Sequence, residues 1–168
     1  MTNDKTASQS GAVHDVGAGS DELTSDDAST ASLIANETGA QRLIGYMLDV
    51  GQDDRCARCH LTLNELHLNR HDVLHGGIAT TMLDNALGAT ASLTVDDTGR
   101  TPFMTLSLNT HFLAPAKIGA QLTATGRLVG GGRAVKFVEG ELVDSNGTLI
   151  ATASGVFKRV PAHRLGDA

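Results

Sequence analysis

Asp84 is the side chain best placed in this sequence to do chemistry. It lies within Gly76–Leu93, GGIATTMLDNALGATASL, whose other members are almost all small or apolar. Burying a carboxylate there without a partner is strongly disfavoured, and aspartate is a poor residue for a helix interior. An acid in such a place points either to a catalytic group or to a pairing with a neighbouring chain. At the start of the same stretch stand His75, Gly76 and Gly77, where no glycine side chain obstructs the first-turn amides. Free N–H groups at the positive end of a helix make an anion site. That site suits a carbonyl oxygen gaining negative charge, as in thioester hydrolysis. The glycines also fit the plainer role of a tight turn. Gly77 and Asp84 are seven residues apart, so they share a face but lie roughly 10 Å apart along a helix axis. That is too far for both to act on one carbonyl. A complete site would combine the helix start of one subunit with Asp84 of a symmetry mate, giving a two-fold dimer two equivalent sites.

The elements around these residues follow from periodicity. Ile78, Met82, Leu83, Ala86, Leu87 and Ala89 form a broad helical stripe, and the small residues predict a helix buried against a sheet. Elsewhere alternation dominates. Ile44, Tyr46, Leu48 and Val50 share one face of a predicted strand over Ile44–Val50. Cys59, Leu61 and Leu63 oppose Arg58, His60 and Thr62 over Ala57–Leu63. Met104, Leu106, Leu108 and Phe112 are expected together, opposite Thr105, Ser107 and Asn109. Further strands fit Ala120–Leu128, Ala134–Val143 and Thr148–Lys158, separated by Gly130-Gly131-Gly132 and Asp144-Ser145-Asn146-Gly147, which carry hairpin turn chemistry. One central helix with five or six mostly antiparallel strands is an α+β domain.

Composition narrows the classes. The 168 residues suffice for one cored domain; with 3% aromatics and no Trp, that core rests on Leu, Val, Ile, Ala and Gly. The net charge of −6 is concentrated early: residues 1–30 hold Asp4, Asp15, Asp21, Glu22, Asp26 and Asp27 against Lys5 alone. No basic stripe and few aromatics make nucleic acid an unexpected partner. No apolar run approaches the ~18 residues of a membrane span, and no basic-then-apolar leader is visible. Two cysteines three apart make no disulfide framework. The cytoplasm is the expected compartment. Residues 1–38, rich in Ser, Thr, Asp, Gly and Ala, are expected to form a mobile acidic tail, with a short helix from about Ser29 to Leu43. The domain is expected over 39–160, with a C-terminal tail over 161–168.

With these residues in view, the stretch from Asn69 to Lys158 resembles the PaaI-like hotdog-fold acyl-CoA thioesterases. Three elements in order carry the resemblance: Asn69, Leu74-His75-Gly76-Gly77 and Asp84; then Leu106–Gly119, LSLNTHFLAPAKIG; then Gly132-Arg133 and Asp144–Gly147. It implies a hotdog fold, a curved antiparallel sheet wrapped around the central helix, assembled as a homodimer or a dimer of dimers. It implies hydrolysis of acyl-CoA with no cofactor and no metal, coenzyme A being part of the substrate. Asp84 matches the carboxylate that attacks the thioester or activates water, and Gly76 the oxyanion position. Asn69 matches the residue that orients substrate or water, His75 the motif histidine, and Thr105 a Ser or Thr that positions water. Gly77 adds a helix-start amide for the substrate, and Arg133 is the cation most suited to the phosphates of coenzyme A. Asp72 stands where the family usually has Gly and Arg70 where it often has Pro, which predicts a differently shaped loop before the HGG. Acyl carrier protein as the acyl donor and a non-catalytic acyl-CoA sensor remain open. A hotdog hydratase would want an Asp and His acting together, and no such pair surrounds Asp84.

Two other patterns compete. Cys56-Ala57-Arg58-Cys59-His60 matches the haem-attachment spacing, but strand alternation sends Cys59 and His60 to opposite faces. His67, His71 and His75 recur every four residues, yet the segment reads as a loop and no carboxylate completes a zinc motif.

Overall fold

In a computed structural model that describes residues 32–161, the elements follow the alternation and the stripe. They run β1 (Leu33–Ile34), α1 (Gly39–Ile44), β2 (Met47–Asp49), β3 (Arg58–Thr62), a 3-10 turn (Glu65–His67), α2 (Gly76–Leu93), β4 (Phe103–Phe112), β5 (Gln121–Gly131), β6 (Val135–Asp144) and β7 (Leu149–Arg159). The strands make one antiparallel sheet in the order β1-β2-β3-β5-β6-β7-β4, and α2 packs against β3, β4, β5, β6 and β7. One long helix cradled by an antiparallel sheet is the hotdog arrangement. Of the tails expected over 1–38 and 161–168, residues 1–31 and 162–168 lie outside the described residues. Among those described, no helix is long and apolar enough to cross a membrane.

The α2 stripe is buried through Ala79, Met82, Leu83, Ala86 and Leu87, meeting Leu122, Ala124, Val138, Leu142 and Phe157 from the sheet. Each fully buried Leu, Met or Phe contributes about 1.5–3 kcal/mol. Two glycines allow the close approach. Gly126 and Gly140 are register partners on β5 and β6. A Cβ on Gly126 would fall 2.7 Å from Ala86 O, and one on Gly140 would fall 2.4 Å from Thr125 O and 2.5 Å from a Leu87 methyl.

Residues 32–38, expected within the tail, include the paired strand β1. The predicted helix over Ser29–Leu43 is replaced by β1, which pairs with β2, and by the shorter α1. Thr38 caps α1 through a reciprocal box with Gln41, whose buried amide also donates to Ile34 O. The strand expected over Ile44–Val50 shrinks to Met47–Asp49, because Ile44 closes α1 and Gly45 turns the chain at φ 84.

β4 departs from simple alternation. The register with β7 shifts between Thr105 and Ser107, so Leu106 is a bulge residue. Phe103 and Thr105 share the helix-facing side before it; Leu108, Thr110 and Phe112, opposite Gly155, Ala153 and Ala151, share that side after it. The single face expected for Met104, Leu106, Leu108 and Phe112 is therefore split, with Met104 turned outward alongside Lys158. A bulge re-aims side chains in this way.

Gly140→Ala should destabilise the domain by about 1–3 kcal/mol through overpacking. Urea unfolding would register this as a lower midpoint at an unchanged slope, and an unchanged midpoint would mean that α2 is not seated on the glycine pair.

Candidate active site

The start of α2 is capped by its own histidine. His75 is the N-cap, and its Nδ1 accepts the Gly77 N–H at 2.9 Å. Ile78 and Ala79 donate to His75 O. The Gly76 N–H alone in this first turn has no acceptor among the described residues. Of the two glycine amides expected to face a ligand, Gly77 is thus committed to the cap and Gly76 is open. Glycine at 76 also lets the Phe112 ring close over the helix start, since a Cβ there would lie 3.2 Å from Phe112 Cζ.

Asn69 lies beside this helix start. Its Oδ1 accepts from His71 N at 2.8 Å, its N–H donates to Val73 O, and its carbonyl accepts from Asp72 N. These bonds leave the Asn69 amide NH2 without an acceptor among the described residues. Asp72, predicted to reshape the loop, adopts φ 57. That left-handed conformation favours glycine and is tolerated by Asp. Asn69 and Gly76 line one groove of about 360 Å3 with Val73, Leu74, Phe112 and Pro115.

Asp84 sits two turns along α2, half-buried rather than enclosed. Thr105, on the near side of the bulge, donates its hydroxyl to Asp84 Oδ1 at 2.7 Å. One carboxylate oxygen is thereby held and the other left available. Both residues line a second cavity, of about 230 Å3, which continues past Asn85, Gly88 and Ser92 to Arg100 and Phe103. Gly76 and Asp84 are eight residues apart on one helix, hence about 12 Å along its axis. The structure therefore gathers Asn69, His75 and Gly76 at one end, Asp84 and Thr105 at the other, and does not join the two within one chain. Arg133, exposed in the β5–β6 hairpin, lines neither cavity.

Several neighbours were not singled out by the sequence. Tyr46 donates to Asn85 Oδ1 at 3.0 Å while Asn85 donates to Thr81 O, fixing the residue beside Asp84. Burial pushes the Tyr46 phenol up from its ordinary value, which keeps it a donor. The only local signal was an amide, Asn85, directly beside Asp84 in a largely apolar helix; its partner lies 39 positions away. The loop after α2 forms the far wall of the Asp84 cavity, and Asp96 organises it. Partial burial raises the Asp96 carboxyl, but hydrogen bonds from Thr101 and Thr98 outweigh this and hold it at about 2.

The competing patterns are used structurally. Cys59 is buried in the core, where burial pushes its thiol up to about 12, and His60 turns the other way to Thr123. His67 is buried, accepting from Asn64 N and bonding Ile44 O, so its ring does not converge with that of His75.

Comparison with known proteins decides the family. The sequence model of the thioesterase superfamily matches residues 71–151. A putative esterase of Pseudomonas aeruginosa is 31% identical over 97 residues, covering 58% of this chain and 70% of that protein. The chain belongs to the thioesterase superfamily. Membership places it among thioester hydrolases, with the expected hotdog fold. Acyl-coenzyme A thioesterase 13 of Mus musculus is 30% identical over 94 residues, spanning 55% of this chain and 65% of that protein. The PaaI protein of the E. coli phenylacetic acid degradation operon shares the fold at a TM-score of 0.65 and 21% identity, covering 74% of this chain and 86% of its own. A Bacillus halodurans protein solved with CoA matches at 0.56 and 29%, covering 61% and 66%.

Asp96 is held below the 3.8 of an unperturbed Asp. Its contribution to stability is therefore complete above that pH and is lost as pH falls through about 2. At neutral pH, Asp96→Asn should raise amide hydrogen exchange over residues 94–101 about tenfold. Unchanged exchange would mean that other contacts hold the loop.

Proposed function

We propose that this chain hydrolyses acyl-CoA thioesters at sites completed by two copies of itself. The observation that carries this reading is the layout of β4. The strand has Thr105, bonded to Asp84, near one end and Phe112, lying against Gly76, at the other. It also ends the sheet, so one edge is open along its ten residues. Met104, Leu106 and Phe112 are more than half exposed along it. An open edge of that length is a template for pairing with another chain. An antiparallel two-fold pairing centred on Asn109, with the Leu106 bulge looped out of each copy, sets Thr105 opposite Phe112 of the partner subunit. Asp84 then approaches Gly76 of the partner subunit, and each supplies what the other lacks.

In such a site a water rests between the Thr105 hydroxyl and the free oxygen of Asp84. Asp84 takes a proton as the water oxygen adds to the thioester carbonyl. The oxyanion is stabilised by the Gly76 N–H at the positive end of α2. The adduct then collapses, the C–S bond breaks, and the departing thiolate takes the proton from Asp84. The Asn69 NH2 orients the thioester, while His75 holds the helix start in shape. The groove beside Val73, Leu74 and Pro115 suits the pantetheine arm, and the exposed Arg70 and Arg133 are available to its phosphates. Support for CoA as the carrier comes from the mouse relative's name and from the Bacillus halodurans protein solved with CoA.

Thiol release from a panel of acyl-CoAs should fall at least about a hundredfold in Asp84→Ala while the fold persists. Binding of acyl-CoA without turnover by the wild type would instead make the chain a sensor. Sharing of the site is tested by mixing Asp84→Ala with Asn69→Ala. Each alone should be nearly inactive, and random reassociation should restore about a quarter of wild-type activity, because half the dimers carry one intact site. Mixtures no more active than their parents would place the whole site within one subunit.

A further inference from the structure

Gly88 lies one turn beyond Asp84 on the same face of α2, and nothing in the packing of the described residues requires it to be glycine. A Cβ built there would meet only the Phe157 ring, at 3.6 and 3.9 Å, which is ordinary contact. Gly126 and Gly140 differ sharply, since a Cβ on either would strike backbone. Glycine is also among the worst residues for a helix interior, and alanine the best. Position 88 thus leaves a space that no described protein atom fills.

That space is part of the cavity containing Asp84 and Thr105. It runs along α2 past Asn85, Gly88 and Ser92 and ends against Arg100 and Phe103, on the side of Asp84 away from Gly76. The far wall is tied in place. Asp96 accepts from Thr98 and Thr101, Ser92 donates to Thr101 O, and Arg100 pairs with Glu37. The volume is about 230 Å3, which at roughly 30 Å3 per water-sized group takes on the order of eight non-hydrogen atoms.

We infer that this cavity receives the acyl group of the substrate and that Gly88 sets its upper size, selecting compact acyl groups over long fatty chains. The inference rests on the hydrolase reading above and adds the substrate class. With the thioester carbonyl between Asp84 and Gly76 of the partner subunit, the groove at the helix start is occupied by the carrier arm. The remaining direction for the acyl group is along α2 past residue 88. A methyl at 88 narrows that path midway, and a leucine blocks it.

The test is kcat/KM across acetyl-, butanoyl-, hexanoyl-, octanoyl- and hexadecanoyl-CoA for wild type, Gly88→Ala and Gly88→Leu, with thermal midpoint and oligomeric mass measured for each. Wild type should favour acyl groups up to octanoyl and process hexadecanoyl-CoA poorly. Gly88→Ala should lower the octanoyl-to-acetyl ratio about tenfold or more, since one methylene in a fitted pocket is worth that much. Gly88→Leu should move the size limit further down. The thermal midpoint of Gly88→Ala should match or exceed wild type, at unchanged mass. A wild-type preference for hexadecanoyl-CoA, or an unaltered ratio in both variants, would overturn the assignment. A lower midpoint or altered mass in Gly88→Ala would overturn it too, by making the glycine a packing or subunit contact. Wild type inactive on every acyl-CoA would remove the hydrolase reading and this assignment with it; an active wild type whose ratio ignores residue 88 removes this assignment alone.

Discussion

The close seating of α2 on the sheet is the contact on which the other features depend. Gly126 and Gly140 pair across β5 and β6 directly beneath Ala86, Leu87 and Thr90, and the absence of their side chains sets the helix-to-sheet distance. Thr90 completes the join, donating to Ala86 O and accepting the Ala57 N–H at the entry to β3. With helix and sheet locked at that spacing, a side chain as short as threonine on β4 reaches a carboxylate as short as aspartate on α2. A larger separation would open the 2.7 Å bond between Thr105 and Asp84.

A second constraint acts within β4. Without an extra residue, side chains at 103, 105, 107, 109 and 111 would all face the helix, and Leu108 and Phe112 would face away. The bulge at Leu106 lets one strand turn a polar Thr105 and, further on, apolar Leu108 and Phe112 toward the same helix. It thus brings a hydroxyl to Asp84 at one end and covers Gly76 at the other. Because the strand also ends the sheet, the Gly76 and Asp84 positions of α2 both border the same open edge.

The helix start illustrates a different economy. His75 closes the Gly77 amide, leaving the Gly76 amide as the open donor of that turn. A helix start with one free amide is directional: an acceptor for it would approach from the side of Asn69 and Phe112, which share its groove. At the other end, the Asp96 turn and the Glu37–Arg100 pair bind the loop after α2 to the segment leading into α1, fixing the far wall of the Asp84 cavity.

Much of this was legible in the residues themselves. The stripe from Ile78 to Ala89 and the alternations around Cys59 and Leu61 report burial directly, because the period of a helix or strand is a local property of the backbone. Asp84 and the HGG were visible for the same reason: an acid in an apolar helix and bare amides at its start are anomalies of local chemistry. The bulge at Leu106 was not legible, since it exists only in the register between β4 and β7, strands separated by two others in the chain. Nor was the ordering of Leu33–Ile34, whose polar flanks read as a tail until β2 offered an edge. Which glycine serves packing and which leaves a cavity was likewise undecided by the sequence. Gly88, Gly126 and Gly140 are the same residue, and only the atoms brought near them by the fold separate the three.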